Sequence, residues 1–193
     1  MTAAYLDNAA STRPASEVLE VMSRVAIEQF ANPSAAHAAG AAAARELEAA
    51  RQVVATALGV AAGEIVFTAG GTEANALGIL GAAGIARGRH LVISAIEHSA
   101  VLRNALRLAK DEGFDVTTVP VGVSGVVQPQ DVAAAMRADT AVVAVMLVNN
   151  ELGTVQPVAE IARALHARAH EFTTGRLKRP HFHVDAVQAF GVI

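Results

Sequence analysis

Glu64-Ile65-Val66-Phe67-Thr68-Ala69-Gly70-Gly71-Thr72-Glu73-Ala74-Asn75 passes from an apolar run, through two glycines, into helix-forming residues. The first five residues read as a strand. The glycine pair lets the backbone turn tightly and exposes N–H groups. Thr72 stands where a hydroxyl can cap the next helix. Strand, tight turn and helix in that order predict a unit of a parallel sheet.

The same rhythm continues along the chain. Leu91 to Ser94, Val116 to Val121, Val142 to Val148 and His181 to Asp185 read as further short strands, apolar on both faces. Between them lie helical stripes. Leu47, Ala50, Val54 and Leu58 share one face, closed by Gly59; Val101, Ala105, Leu108 and Ala109 share another, closed by Gly113. Val158, Ile161, Ala162, Leu165 and Ala169 form a third, entered through Pro157. The expected fold class is α/β: a mostly parallel sheet flanked by helices. Phe172 to Pro180 reads as a basic surface loop.

Composition narrows the function. The 193 residues are 53% hydrophobic, so a sizeable core is expected. Aromatics are 4%, and the net charge is −3 with no basic stripe, which argues against a nucleic-acid surface. No cysteine is present, so a disulfide scaffold and a cysteine nucleophile are excluded within these residues. The start has no signal-peptide pattern and no apolar run is long enough to span a membrane, so a cytoplasmic protein without a membrane partner is expected.

Ligands of open α/β sheets sit beyond the carboxyl ends of the strands, and polar groups collect there. Gly70, Gly71 and Thr72 could form a phosphate cup at a helix N-terminus, or a plain capped turn. His98 follows the second strand and could stack on a flat ligand, shuttle a proton, or simply bond to the helix start. Asn149 and Asn150 could face a ligand oxygen or serve the turn. Asp185, with Gln188 a step later, could face a ligand or cap a helix. His181, His183 and Asp185 alternate onto one face, which keeps a metal site open as an alternative. Gly122-Val123-Ser124-Gly125 lacks the spacing of a nucleophile elbow. A phosphate cup, a stackable imidazole, amides and a carboxylate together suit pyridoxal phosphate, whose protonated ring nitrogen the carboxylate would pair with.

Six blocks, in order, resemble the NifS/IscS-type cysteine desulfurases of the class V aminotransferases, which are fold-type I pyridoxal-phosphate enzymes. They are Tyr5-Leu-Asp-Asn-Ala-Ala-Ser, Asn32-Pro-Ser-Ala-Ala-His-Ala-Ala-Gly, Glu64 to Asn75, Glu97-His-Ser-Ala-Val, Val148-Asn-Asn-Glu-Leu-Gly-Thr-Val-Gln-Pro and His183-Val-Asp-Ala-Val-Gln-Ala-Phe-Gly. The resemblance implies that Gly71 and Thr72 bind the cofactor phosphate. It implies that His98 stacks on the ring and helps in proton transfer, and that Asp185 pairs with the ring nitrogen. Asn150 and Gln188 would reach the phenolic oxygen. Asn32 and His37 match a block near the substrate entrance and receive no role.

The resemblance implies an N-terminal segment, 1–20, and a pyridoxal-phosphate-binding large domain, 21–193, that stops before the family's Schiff-base lysine and its small C-terminal domain. Lys110 and Lys178 are the two lysines, and neither lies in a Ser-Gly-His-Lys-type motif. The family's sulfur-accepting cysteine is also missing. The whole protein would take sulfur from L-cysteine as an enzyme persulfide, leave L-alanine, and supply iron–sulfur clusters or tRNA thiolation through an acceptor protein. It would work as a homodimer. The 193 residues alone are expected to be inactive. A selenocysteine lyase, an aminotransferase of the same class, and a non-catalytic binding protein remain alternative readings.

Overall fold

A computed structural model describes residues 4–171 and 179–193, which divide into two units, Met1–Phe67 and Thr68–Ile193. Most of the loop expected at Phe172 to Pro180, including Arg176 and Lys178, lies outside the described residues; Arg179 within it is exposed.

The first unit holds helices α1 (Ser16–Glu28) and α2 (Ala38–Leu58) and a 3-10 turn at Ala62–Glu64. Gly59 ends α2 in the left-handed conformation, φ 68°, as its place after the apolar stripe predicts. His37 caps the other end: its Nδ1 accepts from the Gly40 N–H at 3.1 Å. The strand expected at Glu64 to Thr68 does not form. Glu64 belongs to the 3-10 turn, its carboxylate accepting from the Ala61 N–H at 2.9 Å. Ile65 is extended, φ −91° and ψ 126°, but residues 65–68 have no ladder partner among the described residues. An apolar run sets an extended backbone; a strand also needs a neighbour.

The second unit is a three-layer sandwich. Its elements are α3 (Gly71–Ile85), β1 (His90–Ser94), α4 (Ser99–Glu112), β2 (Asp115–Val119), α5 (Pro129–Ala135), β3 (Thr140–Ala144), α6 (Val158–Glu171) and β4 (His181–His183). The strands are parallel in the order β2-β1-β3-β4. β1 begins one residue before its expected run, at His90, whereas β2, β3 and β4 end before theirs do. β2 stops at Val119 because Pro120 has no N–H to give. β3 stops at Ala144 and β4 at His183, although single bonds continue past them: Val145 N–H to His183 O at 3.1 Å and Leu147 N–H to Asp185 O at 2.8 Å.

Alternation along the central strands feeds two cores. Leu91, Ile93, Val142 and Ala144 pack with Ile79, Ala83, Val101, Ala105 and Leu108 from α3 and α4. Val92, Val143 and Val145 turn the other way, toward Val132, Ile161 and Leu165 from α5 and α6. Each fully buried Val, Leu or Ile contributes about 1.5–3 kcal/mol through lost apolar exposure, so both faces must be covered. His90 is fully buried at the amino edge of the sheet, where its ring nitrogens bond to the Thr140 and Thr117 hydroxyls, both at 2.8 Å.

Candidate active site

The chain leaves β1 to one side for β2 and returns to the other side for β3. That reversal puts the topological switch point between the carboxyl ends of β1 and β3, where the crevice of a doubly wound sheet opens. Glu97 bridges it. Its Oε1 accepts from the Ser94 hydroxyl at the end of β1 and from the Met146 N–H beyond β3, the latter at 2.9 Å. Its Oε2 is buried with no hydrogen-bond partner among the described residues. Burial raises the Glu97 pKa above the ordinary carboxylate value, and the nearby Asp185 charge adds to the rise.

Asn149 stitches the same crevice. Its Nδ2 donates to Ile96 O at 2.9 Å, and its Oδ1 accepts from the N–H groups of Glu151 and Leu152. The first amide of the Asn149-Asn150 pair therefore serves the turn. Asn150 follows it, half-buried. His98 is the N-cap of α4, its Nδ1 accepting from the Ala100 N–H at 3.1 Å, which leaves the ring exposed at the crevice end of β1.

The glycine turn lies at the start of α3. Gly70, not Thr72, is the N-cap, and Thr72 is exposed in the first turn. The capping role expected of Thr72 goes to Glu73, whose carboxylate reaches back to the Ala69 N–H at 2.6 Å. Gly71 lies against the segment after β4: a Cβ there would sit 2.7 Å from Val187 Cγ2. The first-turn N–H groups of α3 point out of the helix beside this contact, as any helix start requires.

Asp185 is 7% exposed and doubly held. Its Oδ1 accepts from the Val187 N–H at 3.0 Å, and its Oδ2 accepts from Asn75 Nδ2 at 2.8 Å. Asn75, itself buried, meets His183 Nε2 through Oδ1 at 2.7 Å. Thus Gly71, Asp185 and Glu97 come together around the ends of α3, β4 and β1. Gln188 follows Asp185 in the same turn, half-buried. Asn32 and His37 lie in the first unit and bond locally, Asn32 Oδ1 to the Ser34 N–H at 2.9 Å. Lys110 is in the last turn of α4, among helix-end groups.

The metal alternative finds no support in this geometry. His183 Nε2 is engaged by Asn75, His181 is exposed at the start of β4, and the described residues contain no group of three or more His, Asp or Glu arranged for a metal. Burial holds the His183 pKa below the ordinary histidine value, against the opposing pull of Asp185. Asn75 and Glu97 stand among these crevice groups, and sequence reasoning gave them no role. Asn75 was visible one turn after Gly71, and Glu97 immediately before His98, but their partners are on other strands.

A doubly wound parallel sheet opens a crevice at its carboxyl edge, and here a glycine turn, an imidazole and a fixed carboxylate stand around it. The chain belongs to the class V aminotransferase family, whose model matches residues 4–193. It is 43% identical over 189 residues to a NifS/IcsS protein homolog of Lactobacillus delbrueckii, covering 97% of this chain and 46% of the relative. It is 43% identical to a putative cysteine desulfurase IscS of Bacillus subtilis, covering 98% of this chain and 48% of the relative. Among solved structures, a NifS-like protein superposes with TM-score 0.86 at 37% identity, covering 96% of this chain and 49% of that one. A structure described as SspA in complex with cysteine superposes with TM-score 0.85 at 40% identity, covering 96% and 51%. The chain spans about half the length of the relatives it matches.

Proposed function

We propose that the whole protein carrying this chain is a pyridoxal-phosphate-dependent cysteine desulfurase, and that residues 21–193 supply its cofactor pocket, with 1–20 as an N-terminal segment. The observation that carries the reading is Asp185: a buried carboxylate at the end of β4, beside the switch point, held by two donors. Such a group is suited to a protonated heteroaromatic nitrogen, because a cation at the crevice compensates its burial. The start of α3, with its N–H groups and the Thr72 hydroxyl, suits a phosphate. The open space around Gly70, where an added Cβ would meet nothing within 4 Å, leaves that turn accessible.

Bound there, pyridoxal phosphate supplies an electron sink for the α-carbon of an amino acid. The chain's own residues do the holding. Gly71 and Thr72 bind the phosphate and Asp185 the ring nitrogen. His98, exposed at the crevice end of β1, would stack against the ring and move a proton. Asn150 and Gln188 reach the phenolic oxygen. L-cysteine would give up its sulfur to an enzyme thiol as a persulfide and leave as L-alanine. These 193 residues contain no cysteine, so that thiol belongs to another part of the protein. A homodimer working in the cytoplasm, passing sulfur to an acceptor protein for iron–sulfur clusters or tRNA thiolation, completes the proposal.

The test is turnover. The whole protein, given L-cysteine and a thiol reductant, is expected to release alanine and sulfide in equal amounts. Asp185→Ala should lower kcat/KM by about a hundredfold or more, the scale of breaking a buried charge pair. No alanine from the whole protein saturated with pyridoxal phosphate would overturn the reading.

A further inference from the structure

Asp185 does not stand alone. Asn75 Nδ2 donates to its Oδ2 at 2.8 Å, and Asn75 Oδ1 lies 2.7 Å from His183 Nε2. A carboxylate only accepts, so the Asn75 amide must turn its NH2 to Asp185 and its carbonyl to His183. The carbonyl in turn only accepts, so His183 must carry its proton on Nε2. The neutral ring has one N–H, and burial favours the neutral ring. The three side chains therefore have a single consistent sense: His183 Nε2–H to Asn75 Oδ1, then Asn75 Nδ2–H to Asp185.

The scaffold is built to hold that sense. Asn75 and Gly78 lie three residues apart on one face of α3. A Cβ at Gly78 would sit 2.7 Å from His183 Nδ1 and 2.8 Å from Cε1. Glycine at 78 thus makes a flat seat for the imidazole, one turn beyond the amide it must meet. The partners come from distant parts of the chain, 108 and 110 residues apart.

We propose that Asn75 and His183 are positioning residues that orient the Asp185 carboxylate toward a ring nitrogen, Asn75 by donating to it and His183 by anchoring the Asn75 carbonyl from the other side. Without the His183 donor, the Asn75 carbonyl loses its anchor and the amide is held from the Asp185 side alone. Asp185 is then less firmly oriented and its grip on the ligand's ring nitrogen weakens. The effect is confined to ligands that possess that nitrogen. The inference rests on the pyridoxal-phosphate reading for its ligand but not for its hydrogen-bond sense.

Two measurements test it. Long-range proton–nitrogen NMR of the ligand-free chain should show His183 as the Nε2–H tautomer; an Nδ1–H tautomer requires the opposite amide sense and overturns the proposal. The second measurement compares equilibrium binding of pyridoxal phosphate with that of its 1-deaza analogue, in which carbon replaces the ring nitrogen. Asn75→Ala and His183→Ala should each weaken pyridoxal phosphate by about tenfold and leave the analogue unchanged, the scale of a lost hydrogen bond to a charged group. His183→Gln, whose amide donates from nearly the same place as Nε2, should restore most of the loss. Equal losses for both ligands would make the network merely structural and overturn the proposal. If the unaltered whole protein binds neither ligand, the cofactor reading fails, and the tautomer alone decides the network.

Discussion

Glu97 shows what burial does to one carboxyl. Its Oε1 holds the ends of β1 and β3 together, while its Oε2 has no partner among the described residues. A folded-state pKa above the unfolded value means that the folded chain binds more protons between the two. That contribution to stability is fully present below the unfolded pKa and is lost as pH rises from there through the folded pKa, by at most about 1.4 kcal/mol per pH unit. His183 acts with the opposite sign: its lowered pKa makes stability rise with pH up to the ordinary histidine value. Comparing variants separates the two. Glu97→Gln should flatten the fall of urea-unfolding free energy above the ordinary carboxylate range. An unchanged slope would show that Glu97 titrates normally. His98, Asp185 and the Asn149-Asn150 pair were legible as crevice candidates because each lies at, or within a few residues of, the end of an apolar run. Asn75 carried no such signal, since an asparagine inside a helix looks like any polar surface residue until its partner is known.

Within α3, two glycines at similar helical positions should respond oppositely to alanine. Gly81 has nothing within 4 Å of an added Cβ, so Gly81→Ala should stabilise the chain by about 0.5–1 kcal/mol, the ordinary helix preference. At Gly78 that gain is outweighed. The new methyl meets the His183 ring at 2.7 Å, and overpacking of this kind costs about 1–3 kcal/mol, with the buried bond to Asn75 also at risk. Gly78→Ala should therefore lower the melting temperature while Gly81→Ala raises it. A rise for both would show that the imidazole moves aside freely. The helix ends at Gly59 and Gly113 were readable because both glycines adopt the left-handed backbone, φ 68° and 69°, that other residues avoid. The short α5 passed unlocated because seven residues are too few for a helical period to show. The strand expected at Glu64 to Thr68 failed because strand character depends on a neighbour, not on the run itself.

At the scale of the whole chain, chemistry is limited by what the residues contain. Lys110 and Lys178 are the two lysines, with Lys110 at a helix end, and cysteine is absent. The isolated 193-residue chain is expected to form no alanine from L-cysteine, even when supplied with pyridoxal phosphate. Any bound cofactor should wash out after borohydride treatment, because no lysine among the described residues lies at the crevice to form an aldimine that borohydride could reduce. Measurable alanine, or a stoichiometric pyridoxyl group on Lys110, would contradict this. No helix among the described residues is long and apolar enough to cross a membrane.

Short-range pattern accounts for the class of fold, the rhythm of strands and helices, the helix stops at glycine, and the polar residues gathered after each apolar run. These follow from forces acting within a few residues: β-branched sterics, capping and periodic burial. The strand order, the reversal between β1 and β3, and the joining of His183, Asn75 and Asp185 needed the folded sheet. They bring together groups more than a hundred residues apart, and such contacts are selected by the burial of two opposed apolar faces at once, which no local stretch of sequence expresses.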